Sequence, residues 1–214
     1  MKLLASNLRT KKMKVKIVFL KTNHLLAYLL SALLSRILAN EKSRFSSPIR
    51  FLIEGNPLLF RSIFKLWLIL DLLSISLKFL FEIYIPRKLG YTILVEEYIP
   101  AIVSDYIYIA GKIGADLKLS DLSIAFLLRL MNSGRPTKIV FLDAGDRELE
   151  KRWKLRKSPT ERKEYLKMQR ILLLSFSRKL SFNRFLYIDT TTASISNVYK
   201  KLKSFVLDYE SDRF

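Results

Sequence analysis

The chain has 214 residues, of which 50% are hydrophobic, and a formal net charge of +19. This length and composition are typical of one globular domain and exclude a disordered or fibrous chain. Cysteine is absent and His24 is the single histidine, which excludes disulfides and leaves little material for a metal cluster or a catalytic triad. The charge favours anionic partners, namely nucleotides, nucleic acid or an acidic membrane surface, and does not choose among them.

The first part of the chain is basic and has no apolar core of signal-peptide length. We expect residues 1–12 to be a disordered extension, with Met1 or Met13 as the start, and residues 13–210 to form one domain. Residues 13–20 predict the first strand. Residues 25–38 predict a helix that is apolar almost all round and therefore buried. A polar loop and a candidate strand at 49–53 follow.

The apolar stretch 63–85 is long enough to cross a membrane. It carries Asp71, Lys78 and Glu82 on one narrow stripe of a helix. A charge at the centre of a membrane span costs about 2.5–3.5 kcal/mol. The sequence therefore favours a helix that packs on a sheet and keeps one edge in water over a transmembrane helix.

The rest of the chain alternates short apolar runs with helical segments. Strands are predicted at 91–95, 138–142 and 184–188, and helices at 101–113, 122–131, 161–179 and from Ser194 or Ser196 to about 209. Connections long enough to hold a helix join parallel strands, because parallel pairing requires a crossover. We therefore predict an α/β fold of the three-layer sandwich type, with a parallel five-stranded sheet and helices on both faces.

The stretch 137–156 joins a predicted buried strand to a basic helix. Asp143 stands at the carboxyl end of the strand, where open α/β sheets bind ligands. Asp146 is predicted to cap the helix, and Arg152 and Arg156 lie one turn apart on the same helix face. This pattern predicts two guanidinium groups beside a crevice, with a solvated basic helix as the alternative.

Over residues 13–207 the pattern resembles the thymidylate kinase group of P-loop nucleoside monophosphate kinases. The stretch LDAGDRELEKRWKLR has the spacing of the family's fourth strand and lid. Residues 86–98 are similar to its Pro-x-x-x-Gly, strand, Asp-Arg-Tyr unit, and residues 188–198 resemble its last strand and helix. The resemblance implies a lid near 152–165, phosphoryl transfer from ATP to dTMP or another nucleoside monophosphate, ATP and magnesium as cofactors, and a cytoplasmic location.

The resemblance also implies roles for individual residues. Arg152 and Arg156 take the lid contacts to the nucleotide and the transferring phosphoryl group, and Glu96 takes the place of the family's catalytic aspartate. The remaining positions implied to contact nucleotide are Lys21, Thr22, Glu97, Tyr98, Asp143, Asp189 and Thr190. No protein ligand to a metal is expected.

The chain departs from the family where phosphate should bind. Its first glycine is Gly55, so the turn KTNH at 21–24 lacks the glycines that let successive backbone N–H groups face a phosphate. Glu97 replaces the family's arginine and would repel a substrate phosphate 4 Å away by about 4 kcal/mol at an effective dielectric near 20. We therefore predict a kinase-like protein with a degenerate Walker A motif and impaired or altered catalysis.

Two alternatives remain open. In one, the protein is an active nucleotide kinase with an atypical phosphate site made of Lys21, Thr22 and Glu96. In the other, it is a non-catalytic basic protein that binds nucleic acid or an anionic membrane surface through residues 151–157, 163–178 and 200–203. A homodimer formed through the helix around Trp67 is also compatible with the sequence.

Overall fold

The computed structural model describes residues 1–38, 48–118, 121–133, 138–156, 163–178 and 185–207. Its contacts divide the chain into two compact units, where the sequence predicted one domain over 13–210. The central unit comprises Lys16–Gly134, and the terminal unit combines Met1–Val15 with Arg135–Phe214. Each unit is described by itself.

Residues 1–132 contain most of the helices that the structure describes. In chain order their elements are α1 (Lys2–Thr10), β1 (Val15–Phe19), α2 (Leu25–Leu38), α3 (Pro48–Gly55), α4 (Pro57–Lys78), a π-helical segment (Phe79–Tyr84), α5 (Ile85–Lys88), β2 (Thr92–Glu96), α6 (Ile99–Ile113) and α7 (Leu122–Asn132). Proline in the first turn suits the starts of α4 and α6, because its missing N–H has no helical partner there. Gly114 ends α6 in the left-handed conformation.

Residues 139–207 add two strands and three helices to the described part of the terminal unit. They are β3 (Ile139–Asp143), α8 (Asp146–Leu155), α9 (Lys163–Arg178), β4 (Phe185–Asp189) and α10 (Ile195–Leu207). β3 and β4 are parallel, with Ile139 opposite Phe185 and Asp143 opposite Asp189. This register brings the carboxyl ends of both strands to one edge of their sheet.

The core of the central unit is built around Trp67 of α4, which is fully buried. Its ring lies 5.6 Å from the ring of Phe60, 6.0 Å from that of Phe64 and 5.8 Å from that of Tyr106 on α6. Aromatic pairs at these distances stabilise a core beyond the area that they bury. This cluster fixes α4 against α6.

The predicted five-stranded sheet is wrong. The molecule is mostly helical, with two separate two-stranded parallel sheets, β1–β2 and β3–β4. The candidate strand at 49–53 lies inside α3, where Phe51 and Leu52 are buried on one helix face. A short apolar run is compatible with either a strand or a helix, and alternation of elements does not determine which strands pair.

Two other predictions are wrong: the burial of the helix at 25–38 and the disorder at the start of the chain. The helix at 25–38 is confirmed as α2, but it fully buries only Ala27 and Ser31 and exposes most of its large apolar side chains. Residues 2–10, expected to be disordered, form α1 with Leu4 and Leu8 buried. The apolar residues of α1 recur at helical spacing, which gives it a buried face.

The polar stripe formed by Asp71, Lys78 and Glu82 reaches water only in part. Asp71 is fully buried, Lys78 is half-buried against His24, and Glu82 pairs with Lys16 at 2.6 Å. Among the helices that the structure describes, none combines the length and the apolarity required to cross a membrane.

Candidate functional site

The strand ends of the terminal unit bring together four of the residues singled out from the sequence. Thr190 follows β4 and donates both its backbone N–H (2.8 Å) and its hydroxyl (2.7 Å) to the carbonyl of Asp143. Asp143 and Asp189 are register partners. Arg152 of α8 contacts Thr190 at this edge of the sheet. The structure therefore brings Asp143, Arg152, Asp189 and Thr190 together at this edge of the sheet.

Arg152 makes three hydrogen bonds within the protein. Its Nη1 donates to the hydroxyl of Thr190 (2.9 Å), its Nη2 to the Thr190 carbonyl (2.7 Å) and its Nε to Glu148 (2.9 Å). The guanidinium group thus uses its planar fork to join α8 to the end of β4. Arg156, at the end of α8, is exposed and does not join it.

Arg170 of α9 is the cation that the sequence reasoning did not assign to this site. Its Nε donates to both carboxylate oxygens of Asp143 (3.0 Å), its Nη1 to Asp146 (2.7 Å) and its Nη2 to the carbonyl of Ala144 (2.5 Å). Burial alone would lower the pKa of Arg170, but the bonds to Asp146 and Asp143 raise it. Asp146, predicted as a helix cap, is instead the first residue of α8 and an Arg170 partner.

The carboxylate of Asp189 also accepts hydrogen bonds from within the protein. Its Oδ1 accepts the hydroxyl of Thr191 at 2.5 Å and the Thr191 backbone N–H at 2.8 Å, and these bonds lower the pKa of Asp189. The strand ends therefore form a network of internal hydrogen bonds that joins α8 and α9 to β3 and β4.

The turn after β1 in the central unit is also engaged internally. Thr22 donates its hydroxyl to Asp105 of α6 at 2.9 Å, and the Lys21 ammonium lies 3.8 Å from the carboxylate of Glu97. His24 accepts the Lys21 backbone N–H at 3.2 Å, and burial, followed by Lys78 and Lys21, lowers its pKa.

Asp71 is the centre of this region. Its carboxylate accepts the backbone N–H of His24 at 3.2 Å, the backbone N–H of Asn23 and the hydroxyl of Tyr106 at 2.8 Å. Burial raises the pKa of Asp71 to about 6, although its hydrogen bonds oppose the shift. Burial likewise raises the pKa of Tyr106, followed by the charge of Asp71. The backbone N–H groups just before α2 therefore already donate to a carboxylate of the protein.

The remaining predicted site residues lie at the end of β2 and directly after it. Glu96 ends the strand, is exposed, and accepts the Leu20 backbone N–H through its carbonyl. Glu97 has a φ of 52°, a region that residues other than glycine rarely adopt, and its carboxylate faces Lys21. Tyr98 is the N-cap residue of α6.

These contacts do not fit ATP and magnesium at the turn after β1. A phosphate needs backbone N–H groups, and those of Asn23 and His24 already donate to Asp71. The Thr22 hydroxyl and the Lys21 ammonium have carboxylate partners. No protein-family model, no curated protein and no solved structure matches this chain. The resemblance to thymidylate kinases stays a prediction from sequence.

The outward faces of α2 and α4 are a second feature. The sequence suggested only that the helix around Trp67, which is α4, could form a homodimer interface. On α2 the exposed apolar side chains recur at helical spacing, and they are Leu25, Leu26, Leu29, Leu33 and Ile37. On α4 and its continuation through α5 a similar row includes Leu66, Ile69, Leu73, Leu77, Phe81 and Ile85. We call these two rows the apolar faces. The signal in the sequence was an apolar surface wider than one buried stripe needs.

Proposed function

We propose that this chain is a non-catalytic protein that attaches to an anionic membrane surface through the apolar faces of α2 and α4. The observation that carries the proposal is the exposure of those faces: Leu29 is 62% exposed, Leu33 58% and Ile37 70%. Large exposed apolar patches mark sites of protein or membrane association. α2 and α4 pack against each other, so both rows belong to one helical layer of the central unit.

The charges on these helices complement an anionic surface. All exposed charged residues of α2, α4 and α5 are basic, namely Arg36, Arg61, Lys65 and Lys88, whereas Asp71 is buried and Glu82 pairs with Lys16. Helices with leucine and phenylalanine on one face and basic residues beside them are typical of attachment in the plane of the membrane interface. Each basic residue near an anionic surface contributes about 1 kcal/mol.

A lipid surface accounts for the apolar faces better than nucleic acid does. Nucleic-acid binding relies on basic residues and on aromatic rings that stack with bases. The apolar faces consist mainly of leucine and isoleucine, which lipid chains accommodate and bases do not recognise. Because anionic lipids are concentrated in the cytoplasmic leaflet of cell membranes, we propose a cytoplasmic location on that leaflet.

Sedimentation of the full chain with vesicles tests the proposal. We expect binding to vesicles of phosphatidylcholine with phosphatidylserine, and weaker binding to phosphatidylcholine alone. The double variant Leu29→Gln/Leu33→Gln should bind about thirtyfold more weakly, because each half-exposed leucine contributes about 1 kcal/mol when lipid covers it. Leu155→Gln, at a residue of α8 that is 76% exposed, is the matched control and should bind like the wild type.

Two results would contradict the proposal. One is the absence of vesicle binding, together with a dimer in light scattering that the double variant abolishes, which would assign the faces to a second copy of the chain. The other is vesicle binding that the double variant leaves unchanged, which would assign attachment to another surface.

A further inference from the structure

Two helices of the terminal unit, α1 and α10, pack against each other and contain no acidic residue. The segments 1–15 and 190–207, which include both helices, hold eight basic residues. In α8, by contrast, Glu148 pairs with Arg152 and Glu150 with Lys163. Basic residues that have no acidic neighbours along their own helices produce a positive potential, and this potential attracts an anionic partner.

The exposed side of α1 consists of basic and hydroxyl side chains. Leu4 and Leu8 are buried on the other side of the helix. Arg9 donates its Nη2 to the carbonyl of Val15 at 3.1 Å, which holds the turn after the helix close to it. The exposed basic and hydroxyl side chains of α1 and of this turn are Lys2, Ser6, Arg9, Thr10, Lys11 and Lys12.

The exposed side of α10 has a similar composition. Its half-buried apolar residues, such as Val198 and Leu202, lie on one side of the helix. The opposite side exposes polar residues at helical spacing, which are Ser196, Asn197, Lys200, Lys201 and Ser204. Lysine, arginine, serine, threonine and asparagine are the side chains that donate hydrogen bonds to phosphate oxygens of nucleic acids. We call the exposed sides of α1 and α10, with the turn after α1, the basic surface.

The basic surface fits nucleic acid better than a membrane. A helix that lies in a membrane interface needs large apolar side chains beside its basic ones. The large apolar side chains that α1 and α10 expose are Leu3 and Ile195, each in the first turn of its helix. The basic surface therefore lacks the leucine rows that the apolar faces of α2 and α4 present to lipid.

The basic surface also fits a duplex better than a single strand. Single strands bind largely by stacking their bases on exposed aromatic rings. α1 has no aromatic residue, and Tyr199 and Phe205 of α10 are half-buried. The ammonium group of Lys138 lies over the ring of Phe205, 4.7 Å from its centroid. The surface thus offers charges and hydrogen-bond donors to phosphates and no exposed ring to bases.

We propose that the basic surface binds double-stranded DNA, mainly through its phosphates. DNA is the duplex that two exposed helix faces suit, because the wide major groove of B-DNA admits a helix and the deep, narrow major groove of duplex RNA does not. Contacts from lysine, serine and asparagine to phosphates are independent of base sequence. The inference does not depend on the membrane function, because the apolar faces belong to the central unit.

Fluorescence anisotropy of a labelled DNA duplex, titrated with the full chain at several salt concentrations, tests the inference. The logarithm of the association constant falls by about 0.9 per log unit of salt for each phosphate that is neutralised. Lys200→Gln/Lys201→Gln should therefore lower the salt slope by about 2 and weaken binding in about 0.1 M salt by about fiftyfold. Lys2→Gln/Lys11→Gln should have a similar effect, because α1 shares the surface.

The matched control removes the same charge from the central unit. Lys112→Gln/Lys118→Gln replaces two exposed lysines and should leave the affinity and the salt slope nearly unchanged. An equal loss of affinity in the control, or no binding of the duplex at low salt, would overturn the inference. So would tighter binding of single-stranded DNA or duplex RNA of the same length. If Lys200→Gln/Lys201→Gln loses binding to phosphatidylserine vesicles and keeps binding to DNA, the surface belongs to lipid and the inference fails.

Discussion

At the scale of residues, the buried carboxyl of Asp71 makes the stability of the protein depend on pH. Its pKa is about 6 in the folded protein and 3.8 in a solvated chain. The folded state therefore retains the proton between these values while the unfolded state has lost it. The contribution of Asp71 to the free energy of unfolding is highest below pH 3.8, decreases as the pH rises to 6 and is constant above.

Asp71→Asn should therefore gain stability relative to the wild type as the pH rises. The difference in the free energy of unfolding should grow in favour of the variant by about 2 kcal/mol between pH 4 and pH 7, because a shift of one pKa unit corresponds to about 1.36 kcal/mol. Urea unfolding at several pH values measures it. A difference that does not change with pH would mean that Asp71 titrates normally.

Arg170 is the second residue with a local prediction, because it joins α9 to the end of β3. Arg170→Met should speed hydrogen exchange of α9 about thirtyfold, which corresponds to about 2 kcal/mol for the lost bonds to Asp143 and Asp146. The matched control is Arg156→Met, at an exposed arginine of α8, and it should leave exchange unchanged. Equal rates of α9 exchange in the two variants would show that the contacts of Arg170 do not stabilise α9.

At the scale of elements, the sequence predicted where helices and strands lie better than what they pack against. α2 begins and ends where its apolar run does, and β3 and β4 lie within one residue of their predicted starts and ends. Local propensity and periodicity determine such boundaries. α2 buries the side that carries Ala27 and Ser31, and periodicity cannot reveal this choice in a helix that is apolar all round.

The candidate site shows the same division. Asp143, Asp189 and Thr190 meet because the carboxyl ends of two parallel strands share one edge. The sequence placed Asp143 at the carboxyl end of a strand but did not determine that this strand pairs with the one before Asp189. The partners that occupy this edge come from distant parts of the chain. Neither Arg170, 27 residues beyond Asp143, nor Asp71, 47 residues beyond His24, carries a local signal for its contact.

At the scale of the whole molecule, we expect no binding of ATP–magnesium or dTMP. The turn N–H groups, Lys21 and Thr22 have partners in the central unit, and Arg152 has partners in the terminal unit. A nucleotide would have to displace these internal contacts. Calorimetric titration of the full chain with each nucleotide measures binding directly. Saturable binding in the micromolar range would revive the kinase prediction, and a phosphoryl-transfer assay would follow.

The most direct test of the membrane function places a reporter on the apolar face of α2. Because the chain has no cysteine, Leu33→Cys provides a single site for an environment-sensitive fluorophore, and Leu155→Cys provides the control on α8. Vesicles that contain phosphatidylserine should shift the emission at position 33 to the blue and leave that at position 155 unchanged. Vesicle binding with water-like emission at position 33, or no binding at all, would contradict the account.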